Sequence, residues 1–141
     1  MIDPFDLDRF VIAQNGSYAD ALAELRAGRK RSHWMWWVFP QLAGLGRSET
    51  ARAYGIRSLA EARAYLAHPL LAARLSEATA AMLLNPDVSA EAVLGEIDAA
   101  KFRSSLTLFL AAGAGEPLEE ALRVFFAGER DGETLRLLGP G

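Results

Sequence analysis

Leu71, Leu75, Ala78 and Met82 follow one another at intervals of four, three and four, and comparable spacing recurs along most of the chain. An α-helix gathers such positions onto one face, whereas a half-buried strand requires strict alternation. No stretch alternates for long, β-branched residues are sparse, and alanine and leucine dominate. The chain therefore reads as all-α, a single compact domain over residues 1–141 with about eight short helices and no substantial sheet.

The punctuation agrees with this reading. Asp3-Pro4 predicts the N-cap and first position of an opening helix, with Leu7, Phe10, Val11 and Gln14 at helical spacing and Asn15-Gly16 at its end. Ser17 predicts the cap of a second helix that Gly28 stops. Ser48 caps a short one ended by Tyr54-Gly55. Ser58-Leu59-Ala60-Glu61 has the form of a capping box, in which serine and glutamate each satisfy an unpaired N–H at the helix start. His68-Pro69 breaks that helix and leads into the one carrying Leu71 to Met82, which ends near Asn85-Pro86. Ser89 caps a short helix toward Leu94. Phe102, Leu106, Phe109 and Leu110 share a face of the next, with Lys101 and Arg103 off it. Leu118, Leu122, Phe125 and Phe126 mark a further helix, and Thr134 to Leu138 read as a final apolar hook.

Composition narrows the class. Apolar residues make up 51% and charged residues 23%, a globular balance, and no apolar run approaches the ~20 residues of a membrane span. The start, Met-Ile-Asp-Pro-Phe-Asp, has neither the cationic end nor the apolar stretch of a signal peptide, and there is no cysteine. A cytoplasmic protein is the expectation. With two histidines in unrelated contexts and no clustered acids, no metal site is expected, and no cofactor is specified.

The net charge of −3 is unevenly spread: Leu25 to Ser48 contains five cations and no acid. Within it, Arg29, Lys30 and Arg31 run directly into Ser32, His33, Trp34, Trp36 and Trp37. The cations form either a solvated patch or an anion site, since guanidinium groups pair with phosphate or carboxylate and lysine adds a point charge. The tryptophans either fill the core or stack on a flat ligand. His33 either packs in place or serves as an acid or base. Gly44-Leu45-Gly46-Arg47-Ser48 resembles an anion cradle, because glycines allow backbone N–H groups to converge ahead of a helix, although it is not a Walker loop. Asp98, Lys101, Arg103 and Ser104 form a second constellation: either a helix-start aspartate paired with a lysine, or the completion of an anion site with Asp98 orienting a water.

These residues carry a resemblance. Asp3-Pro4-Phe5-Asp6-Leu7, Arg9-Phe10, Gln14, Tyr18, Glu24-Leu25, the run from Gly28 through Trp36, and Phe39-Pro40-Gln41 are similar to the DUF1810 family of small proteins of unknown function. So are Gly44-Leu45-Gly46, Tyr54-Gly55-Ile56, His68-Pro69, Asp98, Lys101, Arg103-Ser104, Thr107-Leu108-Phe109, Asp131 and Thr134-Leu135. The resemblance covers nearly the whole chain and implies a mainly helical single domain with no established activity. Trp37 and Phe102 depart from the phenylalanine and leucine expected there. Some members carry the label calpastatin, to which a compact, tryptophan-containing chain gives no physical support.

The leading expectation is a protein, enzyme or sensor, that binds a small anionic metabolite, phosphorylated or nucleotide-like. Arg31, Arg47, Lys101 and Arg103 would hold charge, Trp34 or Trp36 would stack, and His33 or Asp98 would move a proton. Arg29, Lys30, Ser32, Gly44, Gly46, Ser48 and Ser104 complete the ligand-binding set. The alternative is a protein-interaction module that uses the basic, aromatic surface. Nucleic-acid binding ranks third, because the chain is acidic overall and three clustered cations are few for that task.

Overall fold

The computed structural model of the chain describes residues 3–139. Among them are ten helices and no strand. In order they are α1 (Asp8–Asn15), α2 (Tyr18–Ala27), α3 (Met35–Val38), α4 (Glu49–Tyr54) and α5 (Leu59–Ala67), then α6 (Pro69–Met82), α7 (Ala90–Leu94), α8 (Glu96–Ala111), α9 (Leu118–Phe126) and α10 (Gly132–Leu138). The count exceeds the expected eight because the tryptophan segment and the apolar hook each close into a short helix, α3 and α10.

Ser48, Ser58 and Ser89 cap α4, α5 and α7 as their positions predict, each hydroxyl accepting the N–H three residues on at 3.1 Å. Gly28 ends α2 in the left-handed conformation, φ 76°, where a side chain would be strained. His68 is the N-cap of α6 and Pro69 its first residue.

Two details differ. The opening helix starts at Asp8, not at Pro4: Asp3 accepts the N–H groups of Leu7 and Asp8 at 2.9 and 3.0 Å, and Asp6, at φ 51°, interrupts the chain between them. The capping box is only half made. Ser58 takes the Glu61 N–H, but the Glu61 carboxylate turns to the Arg57 N–H and to two arginine side chains.

One cluster of buried side chains runs through the molecule. α8 packs against α5, α7, α9 and α10, while α6 packs against α1, α2, α3, α5 and α9. Phe102 on α8 is fully buried and meets Phe39 at 4.7 Å between ring centres; Phe39 in turn meets Trp34 at 6.3 Å. This aromatic chain fixes α3 against α8 and so sets the opposition of Trp36 and Lys101 described below. Behind α3, the Ala43 N–H donates to the Ile56 carbonyl at 2.7 Å and the Ile56 N–H to the Gln41 carbonyl at 2.9 Å, a single parallel bridge that holds the turn preceding Gly44.

Candidate functional site

The site begins at Glu24, on the last turns of α2. One oxygen of its carboxylate accepts the N–H groups of Arg31 and Ser32 and the indole N–H of Trp34; the other accepts the Ser32 hydroxyl. Burial alone would raise its pKa, but the Ser32 hydroxyl, the Arg31 N–H, the Trp34 indole and the Ser32 N–H together bring it to about 2. An irregular segment that would otherwise leave several donors unpaired is thereby tied to α2. The Lys30 N–H adds a bond to the Val93 carbonyl at 2.8 Å.

From this knot the chain turns once as α3. Met35 and Val38 point into the core, and Trp37 sets its indole N–H on the Ser17 hydroxyl at 2.8 Å. Trp36, half-buried, faces α8, where the Lys101 ammonium lies 3.8 Å from its ring centre. A lysine over an indole is a cation–π contact worth about 0.5–2 kcal/mol. Lys30 sits similarly over Trp34, at 5.2 Å. Asp98 joins the two lysines, one oxygen 3.0 Å from Lys30 and the other 3.2 Å from Lys101. Two ammonium groups around one carboxylate leave this corner with a net positive charge.

Trp36 and Lys101 border a cavity of about 250 Å³, also lined by Gln41, Leu45, Gly46, Ile97, Ala100, Ser104, Asp131 and Glu133. Ile97, Ala100, Lys101 and Ser104 stand at helical intervals of three, one and three, so α8 contributes one continuous wall. Asp131, the N-cap of α10, accepts the Thr134 N–H and hydroxyl and the Ser104 hydroxyl, all on Oδ2. Glu133 pairs with Arg136. The cavity thus offers an aromatic wall and an ammonium on one side and carboxylates on the other.

Of the residues expected at a site, Trp36, Gly46, Lys101 and Ser104 line this cavity, and Lys30 and Asp98 adjoin it through Lys101. Trp34 is 1% exposed and belongs to the core. Ser32 is engaged by Glu24, and Ser48 by its helix cap. Arg29 and Arg31 are exposed and flank a separate hollow beside Glu24. Arg103 donates to the carbonyls of Glu129 and Arg130 at 2.8 and 3.0 Å, bracing the loop before α10. His33, Gly44 and Arg47 are exposed and lie off the cavity lining. Gly46 has a packing role: a Cβ there would stand 2.7 Å from the Ala51 Cβ. Among the described residues, no three His, Asp or Glu side chains gather where a metal ion could be held.

Gln41 and Asp131 stood in the sequence only as residues shared with the family, with no site role assigned to them, as did Glu24. A polar amide inside the apolar run from Trp34 to Leu42 is the signal that marks Gln41. A larger hollow of about 640 Å³ lies by Asp3, Leu7 and His68. Two of its polar side chains serve the backbone: Asp3 accepts two N–H groups, and His68 Nδ1 accepts the Leu71 N–H.

The molecule is thus a small all-α domain with an amphoteric, tryptophan-walled cleft between α3 and α8. The chain belongs to the DUF1810 family, described as proteins of unknown function, whose model matches residues 4–138. A solved crystal structure, that of the conserved hypothetical protein Rv1873 from Mycobacterium tuberculosis, is similar to it with a TM-score of 0.92 and 48% identity, over 99% of this chain and 100% of that one. Comparison with curated proteins gives no match. Among the described residues, no helix is long and apolar enough to cross a membrane.

Proposed function

We propose that the chain binds a small anionic metabolite in the cleft between α3 and α8, its charged group at Lys101 and a flat portion along Trp36. The observation that carries this reading is the Lys101 ammonium 3.8 Å from the Trp36 ring centre, at the wall of a 250 Å³ cavity. Charge and aromatic surface are offered together there, as a phosphorylated or nucleotide-like molecule requires. The cavity is small, so part of such a ligand would remain in solvent. His33 and Asp98 are not among its lining residues, and Asp98 has both oxygens on lysines. The proposal is therefore one of binding, with no reaction attached.

Calorimetric titration with ribose 5-phosphate and with AMP tests it. Lys101→Gln is expected to weaken binding roughly tenfold, a loss of about 1.4 kcal/mol, and Arg31→Ala to change it by less than about twofold. Equal losses in the two variants would point to a diffuse basic field in place of this cleft. Absence of heat with either ligand would remove the proposal.

A further inference from the structure

We infer that the flat portion of the ligand is an amino-substituted nucleobase, read along its polar edge by the carboxamide of Gln41. The inference rests on the proposed binding of an anionic, ring-bearing ligand and specifies the ring. Gln41 is 8% exposed and lines the cavity. Its backbone carbonyl accepts the Ile56 N–H, but among the described residues its side-chain amide makes no hydrogen bond. The one fully enclosed side-chain polar atom without a partner is the Ser105 hydroxyl. Gln41 is therefore nearly buried as a residue, while its carboxamide is unpaired within the protein and reaches the open space of the cavity. Such an amide exchanges hydrogen bonds between water and a ligand without breaking any bond within the protein.

A carboxamide presents a donor beside an acceptor, which matches base edges where an N–H stands next to a ring nitrogen or a carbonyl. The choice among bases comes from Asp131. Its Oδ2 is occupied by Ser104 and Thr134, while Oδ1 makes no bond among the described residues, and a carboxylate only accepts. A ring that satisfies both groups needs a second donor, which an exocyclic amine supplies. Trp36 provides the stacking wall and Lys101 meets the phosphate. A free mononucleotide suits the site better than a nucleic-acid strand, since Asp131 and Glu133 would repel a continuous phosphate backbone.

The test compares AMP with IMP and CMP with UMP, pairs that differ by the amine, alongside ribose 5-phosphate and a single-stranded oligonucleotide. AMP and CMP are expected to bind about tenfold more tightly than IMP and UMP. Gln41→Met is expected to lower AMP toward the level of IMP, still above ribose 5-phosphate because Trp36 remains, and to leave ribose 5-phosphate within about twofold. Equal binding of AMP and IMP, both above ribose 5-phosphate, overturns the edge reading and leaves the anion-and-ring site standing. AMP no tighter than ribose 5-phosphate overturns it too, while the anion site remains. No binding of any of them overturns both. An oligonucleotide that binds more tightly than AMP replaces the free nucleotide with a strand. Should Gln41→Met fail to fold, the wild-type comparison of AMP with IMP decides alone.

Discussion

The Glu24 carboxylate accepts the Trp34 indole N–H at 3.0 Å across ten residues of chain, and the same oxygen also takes the Arg31 N–H at 2.7 Å. One acid on α2 thus holds together the segment in which the sequence shows only cations and aromatics. Trp34 is then fixed in the core, and Trp36, two residues on, is left to face the cavity.

The first prediction is a pH dependence. The Glu24 pKa is depressed from the ordinary 4.5 to about 2, so its contribution to stability is present above pH 4.5 and is lost as pH falls toward 2. Fully expressed, that shift corresponds to about 3 kcal/mol, and partial exposure brings the expectation to about 2 kcal/mol. Urea unfolding should show Glu24→Gln less stable than the wild type by about that amount at pH 6, with the gap narrowing below pH 4.5 and closing as pH approaches 2. A gap that stays constant with pH would mean the acid acts through shape and not charge.

Arg9 and Glu61 make the second prediction. Glu61 is fully buried; Arg9 reaches it at 2.7 Å and also donates to the carbonyls of Phe5, Asp6, Ala53 and Gly55. Arg57 approaches the other oxygen at 3.2 Å, but its side chain is 62% exposed. Removing a buried partner strands the opposite charge, at a cost of about 3–5 kcal/mol, whereas an exposed one contributes under about 1 kcal/mol. Arg9→Ala is therefore expected to be far more destabilising than Arg57→Ala by chemical denaturation. Similar effects would show that the two arginines share the carboxylate evenly.

Most of the fold was legible because its signals are local. The serine caps, the Gly28 stop and His68-Pro69 act within four residues, and the apolar spacing of α6 and α8 is set by the helix itself. The start of α1 was misread because Asp3 can cap either of two registers, and the later one is favoured by Arg9 reaching carbonyls near residue 54, which no local pattern reveals. The lining of the cavity was legible in part for the same reason. Trp36, Gly46, Lys101 and Ser104 belong to compact motifs, but where a long cation points depends on distant partners. Lys30 finds Asp98, and Arg103 finds the carbonyls of Glu129 and Arg130. Gln41 stands out less in the sequence because an amide carries no charge, and whether its side chain finds a partner is decided by tertiary contacts.

Gly46 separates two roles for the glycine turn. Its backbone lies against α4, where an added Cβ would meet the Ala51 Cβ at 2.7 Å and come within 3.6 Å of the Trp36 ring. Gly46→Ala is expected to cost about 1–3 kcal/mol through overpacking. Ala51→Gly in the same chain should return part of that loss, less about 1 kcal/mol for glycine within α4. Thermal unfolding of the two single variants and the double measures the coupling. Additive losses would show that the added methyl is accommodated by a shift away from Ala51, and that the two positions do not compete for the same space.

The last prediction concerns Asp98, which holds Lys30 and Lys101 at 3.0 and 3.2 Å, with side chains only 11%, 20% and 18% exposed for Lys30, Lys101 and Asp98. Asp98→Asn keeps the shape and removes the charge, leaving two ammonium groups to repel each other in a partly desolvated corner. Stability should fall by about 2 kcal/mol, and added salt should restore part of it by screening. The same change frees Lys101 from its counter-ion, so phosphate or AMP should bind at least about threefold more tightly even as the fold weakens. Those opposite signs distinguish a carboxylate that restrains the lysine from one that positions it. If Asp98→Asn weakens folding and ligand binding together, Asp98 is there to aim Lys101 at the cleft, and the positive charge of the corner matters less than its geometry.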